Sequence, residues 1–206
     1  MLLCDRQIVE YLIAQELVVK PILEPTLQIQ PTSLDLRLGT SFAIIRNAEF
    51  TYLDLLKEPR EARREAAKYM QRYDINFNQD FVLHPGEFAL ASTYEYIRMP
   101  SFLSGRLEGK STWGRLGLLV HSTAGFVDPG FEGALTFELV NVGKAPIKLF
   151  PGIRIAQICF YKHEKVLKKY GEGRKHSYSR QVGLQTSLYF EMPDFAKIRR
   201  IREVVA

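Results

Sequence analysis

From residue 81 to residue 161 the chain alternates apolar and polar residues over short stretches, and turn-forming residues separate the stretches. Leu135, Phe137 and Leu139 interleave with Thr136, Glu138 and Val140. Ile147 with Leu149, and Ile153 with Ile155, repeat the period. Asp128-Pro129-Gly130, Asn141-Val142-Gly143 and Pro151-Gly152 supply the turns. A period of two puts neighbouring side chains on opposite faces of a strand. Many short strands at close spacing must pair with one another, which predicts an antiparallel sandwich or barrel.

The flanking segments add little to that frame. Asp5 is placed to cap a helix over about residues 6–16, with Ile8, Val9, Leu12 and Ile13 on one face. Leu34, Leu36 and Leu38 alternate in a strand expected to be half-buried and to end in a turn at Gly39. Two short strands are expected around Pro85-Gly86. Residues 53–72, rich in Glu, Arg, Ala and Lys with Pro59 among them, read as an exposed helical excursion outside the core. Residues 171–187 read as a mobile tail and residues 194–205 as a basic helix.

The 206 residues fit a single elaborated domain, long enough to form a core without disulfide or metal staples. The two cysteines, Cys4 and Cys159, form no C-x-x-C pair, which leaves no basis for a disulfide framework or a structural zinc site. The amino-terminal residues lack a signal-peptide pattern and no apolar run is long enough to span a membrane, so a cytoplasmic location is expected. A net charge of +5 suits a polyanionic ligand. Much of the surplus lies in residues 57–72 and 197–202, where a solvated helix face is the simpler explanation. No strand interleaves aromatics with cations, so a nucleic-acid partner is not expected.

Several residues could carry chemistry. Lys110-Ser111-Thr112-Trp113-Gly114-Arg115 concentrates hydroxyl, amide and cationic donors, which suits phosphate oxygens and equally suits a plain polar turn. Glu138 shares the polar strand face with Thr136, where a carboxylate is ordinarily just solvated. Asp128 opens an Asp-Pro-Gly turn.

Three segments together carry a resemblance: Gln30-Pro31-Thr32-Ser33-Leu34-Asp35-Leu36-Arg37-Leu38-Gly39; the 109–118 loop with His121-Ser122-Thr123-Ala124-Gly125-Phe126-Val127-Asp128-Pro129-Gly130 after it; and Leu135-Thr136-Phe137-Glu138-Leu139-Val140-Asn141 leading to Pro151-Gly152-Ile153-Arg154-Ile155-Ala156-Gln157. In order and spacing they resemble the dCTP deaminases and their dUTPase relatives over most of residues 1–187. The resemblance implies a mainly β fold, a distorted jelly-roll-like barrel with a few peripheral helices, assembled as a homotrimer. It implies hydrolytic deamination of dCTP to dUTP and ammonia, or a bifunctional enzyme that goes on to dUMP and diphosphate. A pure dUTPase and a non-catalytic nucleotide sensor are the remaining options. Inhibition by dTTP is also implied.

By the same resemblance Glu138 is the general acid/base, with Ser111, Arg115 and Ala124 completing the catalytic set. One carboxylate can both deprotonate the attacking water and return a proton to the ring and the leaving amine. Lys110, Ser111, Thr112, Arg115, Asp128, Thr136, Phe137, Glu138, Gln157, Tyr170, Tyr178 and Gln181 correspond to nucleotide contacts, and Asp128 to the sugar-side aspartate. Gly125-Phe126 looks like the dUMP-forming members, whereas many deaminase-only members carry a bulkier polar pair. The family's tail lysine is replaced by Ser177, with Lys175 and Arg180 as neighbouring cations. Mg²⁺ is expected with the triphosphate. No zinc is expected, because the H-x-E and P-C-x-x-C elements of zinc deaminases are missing and His84, His121, His163 and His176 are scattered.

Overall fold

A computed structural model describes residues 1–45, 52–173, 178 and 180–205. Helix α1 (Asp5–Ile13) opens the chain, with Cys4, not Asp5, at the N-cap. The Gln7 side chain accepts a hydrogen bond from the Cys4 backbone N–H at 3.1 Å, and the Asp5 charge favours the first turn. Ile8 enters the core with Tyr11 and Leu12 packed beside it, while Ile13, expected on the apolar face, is exposed because the helix stops there. Strand β1 (Val18–Lys20), helix α2 (Pro25–Gln28) and strand β2 (Ile29–Gln30) lead into β3 (Ser33–Ile45).

Strand β3 organises the molecule. It runs 13 residues, through Gly39 and not into a turn there. A Cβ at Gly39 would lie 2.9 Å from the carbonyl oxygens of Ser92 and Thr93, so glycine marks a close backbone approach. The first half of β3 pairs with β2 and with β12 (Arg154–Lys162); the second half pairs with β4 (Met70–Asp74) and β6 (Phe88–Arg98). One strand thereby belongs to two halves of a single curled antiparallel sheet.

The remaining strands are β5 (Phe81–Leu83), β7 (Leu103–Gly109), β8 (Leu118–Leu119), β9 (Phe126–Val127), β10 (Glu132–Asn141) and β11 (Ile147–Leu149). Their order through the main sheet is β8-β10-β6-β3-β12-β7-β9, with β11 and β5 as a separate pair. Leu34, Leu36, Leu38, Phe42, Ile97, Phe137, Leu139, Ile158 and Phe160 fill the interior. The expected mainly β, barrel-like architecture with peripheral helices is the one observed.

Two further expectations change. The other face of β3 is buried as well: Ser33 and Asp35 are both inside, because charged and amide partners cover them instead of water. The excursion is helical in α3 (Pro59–Tyr69), but it returns as β4, hydrogen-bonded along β3 from Ser41 to Ile45. Beyond the short helix α4 (Ser111–Gly114), the chain ends in a 3-10 turn, η1 (Tyr189–Glu191), and helix α5 (Phe195–Val205). No helix among the described residues is long and apolar enough to cross a membrane.

Candidate active site

A cavity of about 430 Å³ opens on the β10–β6 face of the sheet. That is within the usual range for a small-molecule site, about 300–1,000 Å³. Strand β10 contributes Leu135, Thr136 and Glu138; the preceding loop and β9 contribute Ala124, Phe126, Val127 and Asp128. Leu90 is the cross-strand neighbour of Glu138, and Phe88 that of Val140. Leu90 and Phe88, with Met70 of β4, therefore form an apolar floor beside a carboxylate. Tyr170, Tyr178 and Gln181 close the cavity from the tail side. Among the described residues, Glu138 and Asp128 are its only acidic lining groups.

The Glu138 carboxylate is positioned by backbone. Its Oε2 accepts hydrogen bonds from the Ser122 N–H at 2.8 Å and the Thr123 N–H at 3.1 Å. The strand is tied to the same loop by the Glu138 N–H, which donates to the Val120 carbonyl at 3.0 Å. Among the described residues no hydrogen bond reaches Oε1, which leaves that oxygen available to a ligand. One oxygen clamped and one free is a geometry suited to proton transfer.

Gln181 belongs to the cavity wall. Its backbone carbonyl accepts from the Ala134 N–H at 3.0 Å, and its Nε2 donates to Ala134 O and to Thr136 Oγ1. Its Oε1 is buried with no hydrogen-bond partner among the described residues, an acceptor facing an unfilled need. Tyr170 tilts against Phe131 with ring centroids 6.0 Å apart, and its hydroxyl accepts from the Tyr178 N–H. Phe131 is both core and cavity wall.

Not every expected residue converges here. Phe137 points its side chain into the core, fully buried, because alternation puts it opposite Thr136 and Glu138, and its ring does not line the cavity. Lys110, Ser111, Thr112, Arg115 and Gln157 do not line the cavity of their own chain. Ser111 and Thr112 on α4 and Arg115 at its C-cap are exposed. Lys110 and Gln157 are instead held by the buried face of β3. The Lys110 ammonium donates to Asp35 Oδ2 at 2.6 Å, and Arg154 donates to the same oxygen at 2.9 Å. Ser33 Oγ donates to Gln157 Oε1 at 3.0 Å.

Gly125 does not line the cavity either, but a Cβ there would lie 2.9 Å from the Leu107 carbonyl oxygen. A larger residue at this position would move the loop that clamps Glu138. Arg180 directs its guanidinium toward Glu132 at 3.7 Å and is mostly exposed. Lys175 and Ser177 lie outside the described residues.

Sequence reasoning missed the apolar floor of Met70, Phe88 and Leu90, and it missed a buried polar pair. Gln28 and Glu95 are both fully inside, with Gln28 Nε2 donating to Glu95 Oε1 at 3.1 Å and the Arg37 N–H to Glu95 Oε2 at 2.9 Å. Burial pushes the Glu95 carboxyl up to about 7, against the lowering effect of those donors. Alternation on β6 could have flagged Glu95 as inward-facing, between Thr93 and Ile97.

The dCTP deaminase-like family model matches residues 2–163. A protein of Pseudarthrobacter chlorophenolicus named "dCTP deaminase, dUMP-forming" is 42% identical over 84% of this chain and 86% of its own length. One of Leifsonia xyli subsp. xyli with the same name is 43% identical over 92% and 91%. The crystal structure of 2'-deoxycytidine 5'-triphosphate deaminase from Agrobacterium tumefaciens superposes with a TM-score of 0.60 at 26% identity. That match covers 79% of this chain and 48% of the other, so this chain spans about half of that structure's length. With a family match across four-fifths of its length and relatives this similar end to end, the chain belongs to the dCTP deaminase-like family.

Proposed function

We infer that the chain deaminates dCTP and carries the product on to dUMP and diphosphate. The observation that carries it is the Glu138 carboxylate, clamped by two backbone N–H groups at the edge of a nucleotide-sized cavity that also holds Asp128. The names of the relatives favour the dUMP-forming alternative over release of dUTP.

In the deamination step a water oxygen bonds to C4 of cytosine while Glu138 takes one of its protons. The carboxyl then delivers a proton to the ring, and a further proton transfer lets the amine leave as ammonia, which leaves uracil. Ala124 and the backbone beside it sit at the cavity wall where the water and base edge would be fixed. In the second step Asp128 takes a proton from the water that attacks the α-phosphorus, and diphosphate leaves. Two acidic groups in one cavity support two successive hydrolyses.

Ser111, Thr112 and Arg115 enter as phosphate contacts supplied by a second copy. Three features support a trimer with shared sites. Ser111, Thr112 and Arg115 are exposed, they do not reach their own chain's cavity, and Leu116, Leu119 and Val142 expose apolar surface beside them. Among the described residues no group of three or more His, Cys, Asp or Glu side chains is disposed to hold a metal ion. Mg²⁺ would arrive with the triphosphate, whose oxygens it would neutralise.

The test is to incubate pure protein with dCTP and with dUTP, each with Mg²⁺, and to resolve dUTP, dUMP and diphosphate. Formation of dUMP from both substrates is expected. Accumulation of dUTP alone would leave only the deaminase, and turnover of neither would refute the assignment.

A further inference from the structure

The cavity's tail-side wall extends past Gln181 to Gln185, Thr186 and Ser187. These three follow Leu184, which is buried in a small apolar cluster with Ala43 and Leu90, flanked by Met70 and Phe88. The tail is thus seated on the same floor that carries the candidate nucleotide site. Immediately beyond it, η1 and α5 turn away from the sheet and grip the insertion. Tyr189 Oη donates to the Ala62 carbonyl at 3.3 Å, and Ala62 is the buried residue of α3. Arg63 pairs with Glu191 at 2.7 Å and lies over the Phe190 ring, 5.2 Å from its centroid. From α5, Arg199 donates to the carbonyls of Leu56 at 3.2 Å and Lys57 at 3.0 Å, and pairs with Glu58 at 3.2 Å.

Insertion and extension meet around a second, apolar cavity of about 240 Å³, and its lining includes Met70, Thr186 and Ser187 of the first. The two regions therefore act on one short segment. Gln185, Thr186 and Ser187 carry no polar anchor of their own to the sheet among the hydrogen bonds of the described residues, while both flanks are fixed, by Gln181 and Leu184 before and by Tyr189 to Glu191 after.

We propose that residues 52–69 and 188–205 form a clasp that positions residues 185–187 against the nucleotide, with Arg199 and Arg63 as its positioning residues. This rests on the nucleotide-site assignment above. A segment held in its bound form before the ligand arrives loses less conformational entropy on binding, so the clasp raises affinity and leaves the chemical step alone. Arg199 acts through main-chain carbonyls of the insertion and does not line the nucleotide cavity.

The experiment measures equilibrium binding of dCTP with Mg²⁺, and KM and kcat, for wild type, Arg199→Ala, Arg199→Lys and Arg63→Ala. Arg199→Ala is expected to weaken binding and raise KM by about tenfold with kcat within about twofold. Arg199→Lys, which keeps a donor and the charge for Glu58, is expected to recover part of the loss. Arg63→Ala, at a pair whose arginine is largely exposed, is expected to act in the same direction should Arg199→Ala fail to fold. A lowered melting temperature with unchanged KM and binding would overturn the clasp, as would a fall in kcat alone. Absence of dCTP binding by wild type would overturn the nucleotide-site assignment itself, and is told apart from failure of the clasp by that control.

Discussion

The Lys110 ammonium and the Asp35 carboxylate meet at 2.6 Å, with Asp35 fully buried and Arg154 sharing the same oxygen. Lys110 is the residue that leads into α4, so the buried face of β3 sets where the Ser111–Arg115 loop begins. Asp35 Oδ1 is left without a hydrogen-bond partner among the described residues, so the carboxylate is held by the two cations alone.

Asp35→Asn removes the charge that both cations face. Loss of one member of a buried pair costs about 3–5 kcal/mol, reduced here because both cations are partly exposed. A drop in unfolding free energy of about 2 kcal/mol is expected in urea titrations. The KM for dCTP should rise, while weak binding of deoxycytidine, which has no phosphates, should stay unchanged. Equal loss for both ligands would detach Asp35 from the loop.

Glu95 gives stability a pH dependence. Burial raises its carboxyl from 4.5 to about 7 in the folded protein. Between those values the folded chain holds a proton that the unfolded chain has released, so stability falls as pH rises from about 4.5 to about 7 and levels off above. The contribution is roughly 3 kcal/mol across that window. Melting temperatures measured from pH 5 to pH 8 should show this decline in wild type and a flatter profile in Glu95→Gln, whatever its absolute stability. Identical slopes would remove Glu95 as the cause.

Asp128→Asn separates the two reactions. Asp128 shares the cavity with Glu138 but has no part in clamping it. Formation of dUMP from dUTP is expected to fall by about a hundredfold or more, with ammonia release from dCTP within about threefold. Chromatography of the products, with dUTP accumulating in the variant, would establish it. Parallel loss of both activities would assign Asp128 to binding.

The strands and much of the cavity were legible in the sequence, because a period of two fixes which side chains share a face. Thr136 and Glu138 on one side of β10, and Phe137 and Leu139 on the other, follow from alternation alone, whereas Leu135 lines the cavity with the first pair because the register shifts between Ala134 and Thr136. Alternation does not say what covers a face. Ser33 and Asp35 read as water-facing but are covered by Gln157, Lys110 and Arg154, which lie far away in sequence. Met70 read as part of an exposed helix, since its strand pairing with Ile45 depends on an insertion folding back on β3. The Ser111–Arg115 loop was recognised by resemblance, and its distance from the cavity of its own chain depends on the three-dimensional path.

Glu138→Gln is the most direct measurement of what this site does. The amide keeps the size of the side chain and removes the ability to accept a proton from water. Ammonia release from saturating dCTP is predicted to fall by at least about a thousandfold, with dCTP affinity within a few-fold of wild type. Retention of wild-type ammonia release by that variant would contradict the assignment.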